Sequence, residues 1–461
     1  MQLPILSGIY TDSSPSLRVS YPINLVPVAQ ESGVSNYYLK PADGIVSEGT
    51  GPGNDRGGIL WNNVLYRVMG SKLVTVDSSG TVTTLGDVED DGKQVSMDYS
   101  FDRLAIVSNG KLFYWNGTTL TEVTDPDVGT PIDIMWVDGY FFYADDESNL
   151  VVTELADPEQ IDPLKYGSSE VDPDPVLAVR KIRNEPHAIN RYTIEVFDNI
   201  GGTGFPFQRI PGAQVQKGAV GTHAVCEFMG GLAFVGSGRH EQPSVYISSG
   251  GQVQRIATRE IEEILETYTD AQLADILIEK RNDRSSMLLY IHLPDRTLVY
   301  SGDGTWFILT SAYQGYSQYR ARNMVWAYGK WCVGDPASSN VGSFSDAVGE
   351  HWGSVVRWEF GTQIIFNETN GVIMNQMELV TLTGSVALNS TPTISTQFSL
   401  DGQVWSPVKE IQAGTIGDRL KRLVWFRQGL TRNLRMQRFQ GTSDAHLTFL
   451  RLDAQIEPLV A

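Results

Sequence analysis

The sequence predicts a mainly β protein: a β-propeller-like body with one central amphipathic helix, followed by a C-terminal β-sandwich-like domain. Three observations predict this class. Glycine is abundant, at 45 of 461 residues, and Gly, Asn and Asp recur between short apolar runs, as is typical of strands joined by tight turns. Paired apolar runs recur about every 40 residues, the period of a four-stranded propeller blade. Only the segment from Arg259 to Tyr268 carries a convincing helical apolar stripe.

The length and the changes in pattern predict the domain organisation. A chain of 461 residues is too long for one small core, so we expect two or three domains. We predict an N-terminal arm at residues 1–57, a propeller-like body at 58–345 and a C-terminal β domain at 346–461. In the arm, aromatic and proline residues mix with turn residues around Tyr37 to Gly44. This predicts a segment that lies across another surface and is able to add an outer strand.

The repeat in the body consists of paired apolar runs separated by turn residues. Turns that suit hairpins with positive φ lie at Asn62-Asn63, Asp138-Gly139 and Gly230-Gly231. The repeat has no fixed signature, so the blade number stays open, and a pair of β-sandwiches would give similar sequence patterns. The paired runs are Ile59–Tyr66 with Leu73–Val76, Arg103–Val107 with Lys111–Trp115, Ile134–Val137 with Tyr140–Tyr143, Val176–Ile182 with Tyr192–Phe197, and two more within Leu232–Ile247 and Ile276–Leu309.

The central helix is predicted from residues spaced i, i+3, i+4 and i+7 on one face, which are Ile261, Ile264, Leu265 and Tyr268. Thr258 is placed to cap its N-terminus. Such a stripe is far more often a packing face than a cofactor site. Thr269 begins a second capping box. The run Ile276–Ile278 is ambiguous between helix and strand, and the hairpin-like Asn282–Ser285 that follows favours a strand.

The C-terminal third is less regular. Beyond Tyr313 the chain is aromatic, and we expect a linker or a returning blade there. Asp401-Gly402 lies between two strand-like runs and predicts a hairpin. From Asp418 to Arg451 the chain is locally basic: eight Lys and Arg against Asp418 and Asp444 give a net charge of +6. We expect solvated strand faces or partners for acidic groups, with a protein or DNA contact as the alternative. The eight basic residues are Arg419, Lys421, Arg422, Arg427, Arg432, Arg435, Arg438 and Arg451.

The overall composition excludes several classes of protein. The formal charge is -19 at pH 7, which makes the chain a poor candidate for wrapping duplex DNA, because phosphate binding needs Lys and Arg. Two cysteines, Cys226 and Cys332, do not suggest a disulfide framework or a cysteine-based zinc site. We find neither a signal peptide nor an apolar run long enough to span a membrane. We therefore expect a soluble protein made in a reducing cytoplasm.

No constellation of residues indicates catalysis or metal binding. The histidines lack H-x-H or H-E-x-x-H spacing, so each is predicted to be a surface or turn histidine. The acidic clusters Glu89–Asp91 and Asp145–Glu147 lack the calcium-loop pattern and are predicted to be exposed loops. The sequence therefore predicts no catalytic, cofactor-binding or metal-binding residue and no cofactor. The six histidines are His187, His223, His240, His292, His351 and His446.

Two glycine-containing motifs are predicted to be structural. The loop Thr50–Gly58 lacks the Gly-Lys-Ser/Thr ending of a phosphate cradle, so we expect a plain turn. The segment Ser399–Trp405 approaches the Asp-box of sialidase propellers, but the residue between Asp401 and Gly402 is missing and Val404 replaces the threonine. The Asp-box closes a hairpin and gives no sign of glycosidase chemistry, which needs paired carboxylates at a defined separation.

Several short segments in a common order and spacing carry a family resemblance. They include the arm segment Asn24–Pro27, Val64–Val68 with Gly70, Lys72 and Leu73, Val215–Gly218 through Gly221-Thr222, Pro243–Ile247, Ile256–Thr258 with Ile261-Glu262, and Ser286–Pro294 followed by Leu298–Tyr300. Together they resemble the packaged-DNA stabilisation protein of short-tailed bacteriophages, a family also called tail hub, tail accessory factor or nozzle. The likeness is densest in the central stretch Val215–Trp306 and weak over the C-terminal domain.

The resemblance implies a structural protein of the virion tail with no enzymatic activity. Members of the family form a homo-hexamer below the portal and its adaptor ring and extend the channel through which genomic DNA passes. They help retain the packaged genome until ejection and dock a tail needle or plug and tailspikes or fibres. The family has a β-propeller-like body and no catalytic residues. By this resemblance we expect synthesis in the host bacterial cytoplasm and no membrane insertion.

Charge and aromatic content suggest how such a protein would work. Acidic subunits around a channel would give DNA a weakly repulsive path. The aromatic arm and linker would supply contacts between rings. Two other functions stay open from the residues alone: a propeller-type carbohydrate-active glycosidase of the tail, and a monomeric propeller that binds peptides.

Overall fold

The computed structural model describes residues 2–3, 21–29, 37–155, 157–284, 286–366, 371–386, 388, 390–402, 404–432 and 434–459. The chain forms two compact units. The first comprises residues 1–46, 295–319 and 344–461, and the second comprises residues 47–294 and 320–343. The domain boundaries expected after residues 57 and 345 stay a prediction.

The described residues form 40 strands and two short α-helices. The strands up to the helices are β1 (Gln2–Leu3), β2 (Leu25–Ala29), β3 (Tyr37–Pro41), β4 (Gly44–Thr50), β5 (Asp55–Trp61), β6 (Val64–Met69), β7 (Lys72–Val76), β8 (Val82–Asp87), β9 (Ser96–Tyr99), β10 (Leu104–Ser108), β11 (Lys111–Trp115), β12 (Leu120–Glu122), β13 (Pro131–Val137), β14 (Tyr140–Asp145), β15 (Asn149–Thr153), β16 (Ile161–Ser168), β17 (Val176–Ile182), β18 (Glu185–Asn190), β19 (Ile194–Asn199), β20 (Phe207–Arg209), β21 (Gly218–Ala219), β22 (Val225–Phe228), β23 (Gly231–Ser237), β24 (Ser244–Ser249) and β25 (Gln252–Arg255).

The remaining elements are α1 (Arg259–Glu266), α2 (Asp270–Ala274), β26 (Leu277–Asp283), β27 (Ser286–His292), β28 (Thr297–Ser301), β29 (Trp306–Leu309), β30 (Arg322–Ala327), β31 (Lys330–Gly334), β32 (Asn340–Ser345), β33 (Arg357–Gly361), β34 (Ile365–Phe366), β35 (Val372–Thr381), β36 (Thr393–Ser399), β37 (Lys409–Gln412), β38 (Leu423–Thr431), β39 (Leu434–Thr442) and β40 (Phe449–Pro458). A 3-10 turn at Pro126–Val128 precedes β13.

The described strands form seven propeller blades, and the second unit contains the first strand of each blade. These first strands, β5, β9, β13, β17, β22, β26 and β30, each contact the next, and β30 contacts β5, so they form a closed ring. In blades one to four the remaining strands follow outward in chain order, and blade five adds β21 and β22 beside β23. The predicted β-propeller-like body is therefore confirmed, and the structure supplies the blade number that the sequence left open.

Strands from distant parts of the chain complete blade seven. Residues 47–50 of β4 lie beside β32. The Glu48 carboxylate accepts hydrogen bonds from Lys330 Nζ at 2.7 Å and from Ser343 Oγ at 2.6 Å. The backbone N–H of Gly51 donates to the carbonyl of Ser339 at 2.7 Å. This pairing closes the ring of blades between residues far apart in sequence and leaves no open junction between the first and last blades.

The hairpin turns follow the predicted chemistry, with one shift. Asn62 and Asn63 have φ of 49° and 62°, and Asp138 and Gly139 have φ of 51° and 92°, as hairpins with two positive-φ residues require. The predicted Gly230-Gly231 turn is displaced by one residue, because the positive-φ pair is Met229 and Gly230. Gly231 instead begins β23, where a Cβ would lie 2.0 Å from the carbonyl of Ser248.

The helices lie between blades five and six, and they match the prediction. Thr258 caps α1 through its side-chain oxygen, and Ile261 and Leu265 are buried where the helix packs against β24. Helix α2 begins with the predicted capping box, in which Thr269 and Gln272 satisfy each other's backbone N–H groups. The ambiguous run after it enters strand β26, as the following hairpin turn indicated.

Two sheets form the core of the first unit. One has the order β2-β3-β40-β35-β38, with β1 beside β40, and the other has the order β33-β39-β36-β37, with β34 beside β39. Their inner faces pack Leu25 and Leu39 of the arm against Phe360, Phe439 and Phe449. The predicted C-terminal β-sandwich is confirmed, and the arm provides the outer strands β2 and β3 of one sheet. The aromatic segment after Tyr313 contains the returning blade formed by β30 to β32.

Candidate functional site

The inner part of the propeller carries a buried network of polar side chains. Arg67 on β6 and Asp55 on β5 have no exposed side-chain surface, and Arg67 Nη1 lies 2.8 Å from Asp55 Oδ1. Asn323 on β30 donates its side-chain amide N–H to Asp55 at 2.6 Å, and its backbone carbonyl accepts from Arg67 at 3.0 Å. Burial raises the pKa of Asp55, and Arg67 opposes this effect. Through its hydrogen bonds with Asn323, the pair connects blade one to blade seven in a region from which water is excluded.

Asp133 on β13 is the second centre of the network. It accepts hydrogen bonds from Ser96 Oγ at 2.6 Å and from Val179 N at 2.8 Å, and it forms an ion pair with Arg180. Arg180 also donates to the carbonyl of Thr222 at 3.1 Å. These partners belong to blades two, four and five, so one carboxylate in blade three links three neighbouring parts of the ring.

Glu279 on β26 is the third centre. It accepts hydrogen bonds from the backbone N–H groups of Asn323 at 3.1 Å and Met324 at 2.7 Å. Its Oε1 also lies 2.8 Å from Nε2 of His292, which is buried. Burial lowers the pKa of His292 below its ordinary value, although Glu279 acts in the opposite direction. This carboxylate connects blades six and seven.

Other contacts cross the propeller axis. The amide of Asn323 donates to Oε1 of Gln94, in the connection before β9, at 3.4 Å. His223, before β22, hydrogen-bonds with the backbone of Gln94, and burial lowers the pKa of His223 to about 4. Side chains from blades two, five and seven therefore meet at the centre. Because Asp55, Asp133 and Glu279 are each connected through hydrogen bonds to another blade, the network serves to hold the blades together.

The prediction that every histidine lies at the surface or in a turn is wrong for two residues. His292 and His351 are 1% and 2% exposed. His292 contacts Glu279, and Nδ1 of His351 lies 2.9 Å from Ser311 Oγ. A single histidine in an apolar run gives no spacing signal, so the sequence could not distinguish a buried histidine with a polar partner from an exposed one.

Sequence reasoning also missed the carboxylates of the network. Asp55, Asp133 and Glu279 lie on three different first strands, and only the fold brings their partners together. The signal that was available is a charged residue inside an apolar strand. Arg67 lies within Val64–Met69, where its neighbours are apolar, and a buried charge needs a partner.

The two acidic clusters are organised by hydrogen bonds within the chain. Arg56 donates to the carbonyl of Glu89 at 2.8 Å and forms an ion pair with Asp91. Asp145 accepts from the backbone N–H groups of Glu147 at 3.0 Å and Asn149 at 2.7 Å. Asp145 is buried, so the prediction of a wholly exposed loop is wrong there. Among the described residues, no group of three or more His, Cys, Asp or Glu side chains is placed to hold a metal ion.

The Asp-box-like segment closes a hairpin, as predicted. The Ser399 hydroxyl accepts from the N–H of Gly402 at 2.8 Å, and Asp401 accepts from the N–H of Val404 at 2.8 Å. Ser399 pairs with Trp405 across the turn, and Arg438 lies 4.1 Å from the centre of the Trp405 ring. These groups stabilise the turn.

Net charge is distributed unevenly along the chain. Residues 87–174, which form most of blades two and three, contain 21 Asp and Glu and 4 Lys and Arg, so 4 − 21 = −17 of the total of -19 lies there. In the basic stretch at residues 418–451 of the first unit, only some of the Lys and Arg side chains have partners within the chain. Arg435 is buried and donates to the carbonyl of Gln428 at 2.7 Å, and Arg451 forms an ion pair with Asp453 at 2.9 Å. The exposed cations of the stretch are Arg419, Lys421, Arg422, Arg427 and Arg432.

The glycines of the densest resemblance have a packing role. A Cβ on Gly218 would lie 2.1 Å from the carbonyl oxygen of Asn190, and one on Gly221 would lie 2.1 Å from that of Ala274. The segment therefore needs glycine where it passes blade four and helix α2. In the arm, buried Asn24 donates to the carbonyls of Thr310 at 2.9 Å and Arg357 at 2.7 Å. These motifs fix the fold.

Comparison with known proteins identifies the family. The family described as bacteriophage P22 Gp10, beta-propeller, matches residues 1–349, and the family described as bacteriophage P22 Gp10, beta-sandwich, matches residues 357–457. The chain belongs to the P22 Gp10 family. The resemblance found from the sequence is thereby confirmed, and it extends over the C-terminal domain, where the sequence motifs gave little signal.

A curated relative within the P22 Gp10 family is the tail hub protein gp10 of Salmonella phage P22. It is 30% identical over 368 residues, which cover 74% of this chain and 76% of the relative. This relationship makes the chain a structural phage tail protein of the hub type, a component of the virion tail, and not an enzyme. Of the described helices, none is long and apolar enough to cross a membrane.

Similar solved structures include propellers from other proteins. The N-terminal domain of Nup159 has a TM-score of 0.43 at 9% identity, covering 71% of this Gp10-family chain and 99% of that domain. The beta-propeller domain of Cps50 (Swd1) from Myceliophteria thermophila also has a TM-score of 0.43 at 9% identity, covering 65% of this chain and 99% of that domain. TM-scores below 0.5 at such low identity say nothing about function.

Proposed function

We propose that this protein forms a homo-hexameric ring below the portal and its adaptor ring. In that position the ring extends the DNA channel, retains the packaged genome until ejection, and docks a tail needle or plug and tailspikes or fibres. The observation that carries the proposal is membership of the P22 Gp10 family over both the propeller and the sandwich. Synthesis takes place in the host bacterial cytoplasm before the subunits join the virion.

The filled propeller axis supports a channel formed between subunits. Asn323, Gln94 and His223 meet across the axis, and Asp55 with Arg67 is fully buried beside them. A DNA duplex cannot pass through such a centre. The path for DNA therefore runs through the middle of a ring of several copies, with whole propellers around it.

The charge supports retention without tight binding. The net charge of -17 on residues 87–174 repels DNA phosphates wherever this part of the surface faces the channel. A genome in such a channel slides at ejection because few Lys and Arg side chains are available to neutralise its phosphates. Retention then depends on a closed ring and its plug.

The carbohydrate-active alternative gains no support from any described group. The carboxylates of the propeller centre are occupied by Arg67, Arg180 and backbone N–H groups. A cavity in the first unit is lined by His351, Arg357 and His446 among others, and no Asp or Glu lines it. Neither place offers the paired acid and base that glycoside hydrolysis needs.

DNA retention in phage particles tests the proposed function. Particles assembled with the gene for this protein disrupted by a stop codon should package DNA and then lose it, so that most purified heads are empty. Supplying the protein from a plasmid should restore filled heads, and supplying the variant Arg67→Ala, which is expected to fold poorly, should restore fewer. Filled, stable heads in the complete absence of the protein would overturn the proposal.

A further inference from the structure

Strand β38 is an edge strand with an unusual surface. It is the last strand in its sheet and pairs with β35 on one side, and no described strand pairs with its other side. Lys409 of β37 donates to the backbone carbonyl of Arg427 and covers part of this edge. Phe426 and Leu430 on this strand are 64% and 42% exposed, and Leu420 just before it is 94% exposed. Large apolar side chains along a sheet edge promote aggregation of a protein that remains monomeric. They are typical of surfaces that are buried in a contact with another protein.

The same edge is basic. From residue 416 to 432 there are five Lys and Arg and one Asp, so 5 − 1 = +4. Arg422 is held by Glu378, with Nε at 2.7 Å from Oε1. The other four cations, Arg419, Lys421, Arg427 and Arg432, are exposed and have no ion-pair partner among the residues that the structure describes. We call residues 416–432 the basic edge.

A surface of opposite charge and similar apolar character lies on blade three. Strand β16 is the outer strand of that blade, and its register with β15 shifts between Val151 and Thr153, so that residues 162–165 bulge outward. Leu164 within the bulge is 80% exposed, and Tyr166 is 57% exposed. The outer strand thus offers an apolar strip that no described part of the second unit covers.

Carboxylates flank this strip in the sequence. Two of them have partners elsewhere in the chain, Glu159 with Arg103 at 3.4 Å and Asp172 with Arg239 at 3.1 Å, and Asp174 is buried. Residues 154–174 contain seven Asp and Glu and one Lys, so 1 − 7 = −6. The single cation, Lys165, is already held by Glu154 at 2.7 Å. Asp157, Asp162 and Glu170 form no ion pair within the described ranges. We call residues 154–174 the acidic edge of blade three.

We propose that the basic edge of one copy packs against the acidic edge of blade three of the next copy. Apolar side chains of the two edges, led by Phe426 and Leu164, would then cover each other while opposite charges meet around them. Pairing of two basic edges would instead place like charges together, which disfavours a two-fold contact. A contact between two different surfaces repeats from copy to copy, and it closes into a ring when the rotation between copies is a whole fraction of a turn. The inference rests on the proposed ring and assigns its subunit contact.

Charge reversal on each edge, and on both together, tests the contact. The variants are Lys421→Glu with Arg432→Glu, Asp162→Lys with Glu170→Lys, and the chain carrying all four changes. Lys93→Glu with Arg183→Glu, at two exposed cations that lie outside both edges and form no ion pair among the described residues, is the matched control. Ring formation on the cognate adaptor is measured by mass photometry over a range of protein concentrations. Thermal unfolding of each variant checks that it is folded.

Each double variant should raise the concentration for half-assembly by about tenfold or more, which corresponds to a loss of about 1.4 kcal/mol per contact. The quadruple variant should recover assembly, because charges of opposite sign again face each other across the contact. The control should assemble like the wild type. Normal assembly of either double variant would overturn the inference. So would a quadruple variant that is folded but does not recover ring assembly. Rings that form normally but fail to attach spikes or needle would assign the edge to another tail protein and also overturn it.

The wild-type measurement separates this inference from the proposed function. If the wild-type protein forms no ring on the adaptor, the hub proposal itself fails. If the wild type forms rings and the double variants do so equally well, only the assignment of the contact fails.

Discussion

At the scale of single residues, the buried ion pair of Arg67 and Asp55 constrains the propeller. Both side chains are fully buried, so removing one partner leaves the other charged and desolvated. We expect Arg67→Ala to lower the free energy of unfolding of the propeller by about 3–5 kcal/mol, measured by urea unfolding. The exposed pair of Lys72 and Asp87 is the control, and Lys72→Ala should cost less than about 1 kcal/mol. Equal losses for the two variants would contradict the role given to burial.

His292 predicts a pH dependence of stability. Burial favours its neutral form and Arg322 acts in the same direction, so the folded-state pKa lies below 6.5 although Glu279 opposes the shift. The unfolded chain then binds the proton at higher pH than the folded protein. The free energy of unfolding should therefore fall as the pH drops below about 6.5, by at most about 1.4 kcal/mol per pH unit for this group.

Urea unfolding between pH 7 and pH 5 measures this contribution. His292→Gln, which keeps a side chain able to donate to Glu279, should flatten the dependence of the unfolding free energy on pH. Substitution of the exposed His240 by Gln is the matched control. If the slope of the unfolding free energy against pH is unchanged in His292→Gln, then His292 has the same pKa in the folded and the unfolded state. That result would contradict the effect assigned to its burial.

At the scale of elements, the arm strands hold the sandwich together. Leu39 on β3 has no exposed surface and lies in the core with Phe360 and Phe449. Leu39→Ala should lower the free energy of unfolding of the sandwich by about 2–5 kcal/mol, because it leaves a cavity in a closely packed core. Val46→Ala, at a 39% exposed position on β4, should cost under about 1 kcal/mol.

Urea unfolding followed through tryptophan fluorescence measures this loss, and Trp358 and Trp425 are the two of the ten tryptophans that lie in this core. Equal stability of Leu39→Ala and the wild type would show that the arm is not part of the core. Removal of residues 1–45 would take away both Leu25 and Leu39, so we expect it to unfold the sandwich. Substitutions of Tyr37 and Tyr38, which are only partly buried, are therefore better suited to test ring-to-ring contacts.

Elements with local signals could be predicted from the sequence, and elements made by distant pairing could not. The stripe from Ile261 to Tyr268 and the cap at Thr258 specify α1 within one short segment, and Asn62-Asn63 specifies a hairpin turn. Pairing of β4 with β32 joins residues about 290 positions apart, and no local pattern reports it. The network around Asp133 escaped prediction for the same reason, because its partners come from three other blades.

At the scale of the whole molecule, the distribution of charge and apolar surface is matched to assembly. The acidic part of the propeller keeps the free subunit soluble, since like charges on separate copies repel one another. The basic edge of the sandwich provides the opposite sign in a different place. In the proposed assembly, a subunit with both surfaces would join the next in one direction, and the DNA path would run between the propellers.

Imaging of the assembled ring tests the central claim most directly. Cryo-electron microscopy of the purified protein bound to its portal adaptor should show a closed ring of six copies around an open channel, with the axis of each propeller filled and acidic surface toward the channel. A protein that stays monomeric in the presence of the adaptor would contradict the account. A ring whose channel is lined by Lys and Arg would contradict the proposed passage of DNA along a weakly repulsive wall.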